Sequence, residues 1–213
     1  MDVGWYFAHG RGPNGVSTHK IPSYLIHNHP TTFRPFLKIL RYKTAQILTF
    51  NPMSESRSIH IDYQVVSQLA DLTKDDQSLL NQAIEASKLA YAPYSKFHVG
   101  CALRLANGKV INGSNQENAA YTVCQCAERG ALGYASAKYP DVAVIEVAVY
   151  ARGASVTTPV ATPCGVCRQA LLEYADRFDQ TMRIIAQCNN SSIYLFNSIR
   201  DLLPLGFSKS NLI

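Results

Sequence analysis

Four residues of this sequence are of the types, and stand at the spacings, that metal chemistry requires. Cys126 and Glu128 sit in "CQCAERGALG", and Cys164 and Cys167 in "PCGVCRQALLEY". Cys164 and Cys167 are i and i+3 at the head of a helix-compatible segment, so their sulfurs point the same way. A helix N-terminus carries partial positive charge and lowers thiol pKa, which favours thiolate. Cys126 begins a second such segment. Two helix N-termini facing one another across a strand edge can offer three sulfurs to one zinc ion per subunit, leaving the fourth tetrahedral position open as catalytic zinc sites do. Zinc lowers the pKa of a bound water from about 15.7 toward about 7. Glu128, two residues beyond Cys126, can reach that water without ligating the metal. Three thiolates and Zn²⁺ leave a net negative charge. Arg129 and Arg168, each directly following a motif element, can offset it by donating to the sulfurs.

These groups need a scaffold, and the rest of the chain supplies one. Thr73 can cap a helix with Asp75 and Asp76 in its first turn, in which Leu79, Leu80, Ala83, Ile84, Ser87, Ala90 and Tyr91 recur at helical spacing; it should stop before Pro93. "FHVGCALRLANGKVINGSN" reads as two strands joined at Asn107-Gly108, a pair favoured where both turn residues need positive φ. A helix follows from about Cys126 to Lys138. The apolar, β-branched "VAVIEVAVYA" suits a central strand covered on both faces. Then come a helix led by Pro163 and running to about Arg177, strands near 182–187 and 193–196, and a short helix capped by Asn197. The fold class expected is α/β, a three-layer α/β/α sandwich around a mixed five-stranded sheet.

Bulk properties narrow the function classes. The chain has 213 residues, 47% of them hydrophobic, which suits one domain with an appendage. The whole formal net charge of +5 falls within residues 1–60. That segment is interrupted by Pro13, Pro22, Pro30, Pro35 and Pro52 and is expected to be a basic, poorly ordered extension; residues 61–213 form the expected domain and carry balanced charge. Polynucleotide binding normally needs a basic surface, so a nucleic-acid partner is not expected. The apolar run needed for a membrane span is lacking, as are the features of a secretory signal, so the expected location is cytoplasmic. Six cysteines without a secretory signal favour metal over disulfides. Cys101, Cys124 and Cys188 have no motif around them and are expected in the core.

Taken together, "CAERGA" and "PCGVCRQ" resemble the zinc-dependent cytidine deaminase family, in its short-chain, three-cysteine branch. The resemblance runs from about Leu72 to Phe207. It implies hydrolysis of cytidine and 2′-deoxycytidine to the uridines with release of ammonia, in pyrimidine salvage. "YAPYSKFHVG" resembles the family segment that supplies an aromatic wall, which implies that Phe97 stacks on the pyrimidine and that Tyr94 lies near a subunit boundary. "NGSNQENAAY" is similar to the nucleoside-binding stretch, implying that Asn115 and Glu117 hydrogen-bond the ribose 3′-hydroxyl, with Tyr121 beside them and the backbone at Ala127 contacting the base. "DLLPLGF" places Phe207 where the family sends a phenylalanine into a neighbouring subunit's pocket. That implies a homotetramer with shared active sites.

The chain departs from the family pattern at Thr122, Cys124 and Gln125, where proline and glycine are usual, and at Gly130, where threonine is common. Three alternatives stay open on the sequence: a deaminase of an aminonucleoside antibiotic, a deaminase of cytosine in nucleic acid, and a non-catalytic zinc-binding paralogue. Cys124 is the nearby thiol that could serve the last of these as a fourth ligand.

Overall fold

In the computed structural model the described residues are 55–153 and 158–212. The expected extension, residues 1–60, lies outside them as far as residue 54. Every element below belongs to the compact unit Arg57–Ile213.

The first helix begins where the sequence caps it. Thr73 Oγ1 accepts from the Asp76 amide at 3.1 Å, and α1 spans Lys74–Ser87. It ends one turn earlier than its apolar spacing predicts, so Ala90 and Tyr91 fall beyond it; Tyr91 instead bridges to Gln116. The strands are β1 (Tyr63–Val66), β2 (His98–Leu105), β3 (Val110–Ser114), β4 (Val144–Arg152), β5 (Arg183–Cys188) and β6 (Ile193–Phe196), with α2 over Ala127–Lys138 and α3 over Gly165–Arg177. They form one six-stranded sheet in the order β1-β6-β5-β4-β2-β3. The sheet is mixed: β4 and β5 are parallel, and the other pairs are antiparallel.

The count differs by one from the five strands expected. The extra strand is β1, a largely exposed edge strand on which Tyr63 packs against Tyr194 and Phe196; with only one side paired and little of it buried, its sequence carries no clear alternating signature. The hairpin is present, but its turn differs. Gly108 has φ +81° whereas Asn107 does not adopt positive φ; Leu105 and Lys109 pair across the loop, and Asn107 Oδ1 accepts from the Lys109 amide. One left-handed residue closes a three-residue loop, so the second positive φ is not needed. Near the C-terminus, Ser198 rather than Asn197 caps the 3₁₀ turn Ile199–Leu202, with Asp201 completing a capping box.

Strand alternation then sorts the core into two layers. Leu103, Leu105, Val147, Val149 and Ile184 face α2 and α3, meeting Ala131, Ala135, Leu171 and Leu172. Ala102, Ala148, Ile185 and Leu195 face α1, meeting Leu79, Leu80 and Ala83. Helix–sheet–helix layering follows, with β4 in the interior as its apolar run requires. Arg183 ties α1 to the sheet. Its Nη1 donates to Asp76 Oδ1 and Glu146 Oε1, each at 2.6 Å, and its Nη2 to Asp76 Oδ2 at 3.0 Å.

Cys101 and Cys188 are fully buried, as expected. Cys124 is not in the core. It is half-buried in the loop before α2, where its sulfur accepts from the Asn118 amide at 3.2 Å.

Candidate metal centre and active site

Two helix starts meet on one side of the sheet, and each is capped by a cysteine. Cys126 is the N-cap of α2 and Cys164 the N-cap of α3, and neither side chain makes a capping hydrogen bond. A Ser or Asp in these positions would turn its oxygen onto the first-turn amides; the cysteine sulfurs turn outward instead. Pro163 therefore lies just before the cap rather than inside the helix. Cys167, in the first turn of α3, is fully buried.

The three sulfurs converge. Cys126 Sγ lies 4.0 Å from Cys164 Sγ, Cys164 Sγ lies 3.6 Å from Cys167 Sγ, and all three are within 4.8 Å of one another. Tetrahedral zinc with Zn–S bonds of about 2.3 Å needs sulfurs about 3.8 Å apart, so the donor set fits the ion in type and in spacing. Among the described residues this is the one group of three or more metal-ligating side chains whose donors converge. Cys124 is not part of it.

Electrostatics favour one thiolate in the cluster, at Cys126. A hydrogen bond from Cys167 brings Cys126 down to about 6, helped by Cys164 and the charge of Arg129 against the opposing effect of burial. Cys167, as the proton donor to that sulfur, is pushed up. Thiol protons shared onto one thiolate are what a cation replaces on binding.

Glu128 is 4% exposed, so burial raises its carboxyl above the ordinary range, with the neighbouring Cys126 adding to the shift. It lines a cavity of about 200 Å³ together with Cys126, Ala127, Cys164, Phe97 and Asn115. The structure thus gathers Cys126, Cys164, Glu128, Ala127, Phe97 and Asn115 around one space, with Cys167 buried behind the other two sulfurs. Val99, Val149, Ala151, Ala161 and Thr162 complete its walls. Sequence reasoning missed these. The strand residues carry no chemical signature, and only their inward parity on β2 and β4 could have marked them.

Close packing holds α2 in place. A Cβ on Gly113 of β3 would lie 2.4 Å from Ala127 O, so only glycine lets the start of α2 approach the strand this closely. Asn115 extends the same edge: its Oδ1 accepts from the Val99 amide at 2.8 Å and its Nδ2 donates to Phe97 O at 2.9 Å. That leaves one amide hydrogen and one lone pair for a ligand.

Other expected site residues lie elsewhere. Glu117 accepts from the Tyr94 and Ser95 amides and the Ser95 hydroxyl, and these bonds, that of the hydroxyl foremost, lower its pKa. Ser95 Oγ in turn accepts from the Phe97 amide, so Glu117 orders the turn that carries Phe97. Glu117 lines a separate recess with Tyr94, Ser95, Tyr121 and Cys124. Tyr121 is 75% exposed and Phe207 58% exposed, and neither lines the metal-side cavity. Arg129 is exposed and acts on Cys126 through its charge. Arg168 departs from expectation: its guanidinium donates to Pro163 O, Thr162 Oγ1 and Leu202 O rather than to sulfur.

Comparison with known proteins agrees with this geometry. Residues 73–180, just over half of the chain, match the family described as the cytidine and deoxycytidylate deaminase zinc-binding region, a span that contains all three converging cysteines. Zinc is the cofactor. The chain is 46% identical over 101 residues to a cytidine deaminase of Halalkalibacterium halodurans, covering 46% of this chain and 71% of that protein. It is 35% identical over 151 residues to a cytidine deaminase of Sporosarcina psychrophila, covering 65% of this chain and 95% of that protein. The crystal structure of cytidine deaminase from Burkholderia pseudomallei superposes with a TM-score of 0.53 at 36% identity, covering 64% of this chain and 100% of that one. With a family-wide match that runs through both cysteine-capped helices, and a relative aligned over nearly its whole length, the chain belongs to the cytidine and deoxycytidylate deaminase family.

Proposed function

We propose that this protein hydrolyses the C4–N bond of cytidine and 2′-deoxycytidine, giving the uridine and ammonia. The observation that carries this reading is the buried carboxyl of Glu128 sharing one cavity with the ring of Phe97 and with Cys126 and Cys164, two of the three converging cysteines. When bound by Cys126, Cys164 and Cys167, zinc supplies Lewis acidity that makes water acidic near neutral pH.

The chain's own groups do the rest. Phe97 offers a face for the pyrimidine, and the backbone at Ala127 meets the base edge. Glu128 takes a proton from the attacking water and delivers it to N3 as C4 becomes tetrahedral; it then passes the proton of the C4 hydroxyl to the departing amine as the C4–N bond breaks and the C4 carbonyl forms. A carboxyl raised by burial suits this exchange, because the same group must both accept and release protons at the working pH. Asn115 holds the sugar from inside the cavity, while Glu117 orders the turn that carries Phe97. Arg129 offsets the negative charge of the sulfurs.

We further assign residues 61–213 as the catalytic domain, residues 1–60 as a basic extension, and the protein to cytoplasmic pyrimidine salvage as a homotetramer. The exposure of Tyr91, Tyr94, Tyr121, Leu205 and Phe207 supports the tetramer, since together they offer apolar surface that another subunit can cover. In it, Phe207 reaches the cavity of a neighbouring copy. The test is the fall in absorbance near the cytidine maximum on mixing with purified protein, repeated after chelation and after zinc is restored. Unchanged absorbance with zinc-loaded protein refutes the reading.

A further inference from the structure

Residues 160–164 lead into α3 outside any helix or strand. Cys164 O accepts from the Arg168 amide at 2.9 Å, and the other polar groups must be satisfied by side chains or by water. Two of them, Ala161 and Thr162, wall the cavity, and a third, Cys164, contributes a sulfur. The position of this segment thus decides both the shape of the pocket and the approach to the metal site.

One guanidinium holds it. Arg168, on the first turn of α3 and next to Cys167, donates through Nε to Pro163 O at 2.7 Å and through Nη2 to Thr162 Oγ1 at 2.7 Å. Its Nη1 donates to Leu202 O at 2.8 Å, at the end of the 3₁₀ turn Ile199–Leu202. A single planar group thereby links the cavity wall, the helix that carries Cys167 and the C-terminal segment. Hydrogen bonds from a charged donor are stronger than neutral ones, and the rigid fork fixes their relative directions.

We propose that Arg168 is a positioning residue that clamps Ala161–Pro163 against α3 and so sets the affinity for the nucleoside, in place of the thiolate donor its sequence position implies. The inference rests on the cytidine deaminase reading above. Thr162 is its partner in the cavity wall. Loss of the hydroxyl in Thr162→Val keeps the side-chain shape and frees one arm of the fork, whereas Arg168→Gln removes the charge and the fork. Arg168→Lys keeps the charge but presents a point donor that cannot span three acceptors.

The test measures KM, kcat and zinc content for wild type, T162V, R168Q, R168K and T162V/R168Q, with amide exchange across 160–164. Thr162→Val is expected to raise KM about threefold and Arg168→Gln about tenfold, with zinc content kept and kcat less affected. Arg168→Lys fails to restore KM, and the double variant is no worse than R168Q, because both changes break the same contact. Exchange at position 162 quickens in T162V and in R168Q. Wild-type KM in T162V together with unaltered exchange overturns the proposal, and T162V decides this alone if R168Q does not fold. Zinc loss in step with activity loss overturns it in favour of a direct role at the sulfurs. An inactive zinc-loaded wild type overturns the deaminase reading and the proposal with it.

Discussion

Gly113→Ala probes the packing that brings the first zinc-site helix to the other two sulfurs. The added Cβ would stand 2.4 Å from Ala127 O, 2.9 Å from Ala131 N and 3.0 Å from Ala131 Cβ. An ordinary contact needs 3.4 Å or more, so the start of α2 must retreat by about 1 Å. Backbone atoms form the obstruction, and no rotamer change relieves it. Cys126 and Glu128 flank Ala127 and move with it, while Cys164 and Cys167 stay on α3. Two of the three sulfur separations therefore change and the third does not. Zinc tolerates deviations of only about 0.2 Å in its ligand distances. The expected losses are about 10–100-fold in zinc affinity, about 100-fold in kcat and about 1–3 kcal/mol in stability. Competition with a chromophoric chelator reads the first, deamination kinetics the second and urea unfolding the third. Gly133→Ala is the control, since a Cβ there meets nothing within 4 Å on the same helix. Wild-type zinc affinity and turnover in G113A would refute the argument that close strand–helix approach positions Cys126.

Glu128→Gln should retain zinc by elemental analysis while deamination falls about 10²–10⁴-fold; a variant keeping a tenth of the turnover removes Glu128 as the proton carrier. Cys164→Ala should abolish stoichiometric zinc, and unchanged metal content contradicts the ligand set. Gly130→Ala should stabilise the helix by about 1 kcal/mol, read as a Tm rise of about 2–4 °C, because its Cβ would meet only the Gln125 side chain, at 3.7 Å and beyond; a lower Tm is the contrary result. Burial pushes Asp76 upward, but its bonds to Arg183 and that residue's charge, with further help from Thr73 and Glu146, leave it below 3.8. A carboxyl depressed on folding contributes stability that is complete above the unfolded pKa and is lost as pH falls through the folded one. Asp76→Asn should therefore cost about 2 kcal/mol at pH 7 and progressively less below about pH 4. Urea midpoints at pH 7 and pH 3 that differ from wild type by the same amount would contradict this.

The metal chemistry and most of the layering are legible in local sequence. Cysteines at N-cap and first-turn positions are local features, and helical geometry alone aims Cys164 and Cys167 the same way. Thr73 as a cap and the apolar run of β4 were likewise legible, because capping and two-sided burial act through residues close in the chain. Tertiary structure decided what depends on distant partners. β1 exists because β6 pairs with it, and Tyr63 stacks on aromatic rings more than a hundred residues away. Arg168 looks like a sulfur donor from its place beside Cys167, but its acceptors lie on the preceding loop and on the C-terminal turn, which only the folded chain brings within reach. Glu117 shares a motif with Asn115, yet the turn at Tyr94 and Ser95 draws its carboxylate into a different recess. Residue type and spacing fix which reactions are available; which side chains face one space is set by long-range packing, whose partners no local pattern records.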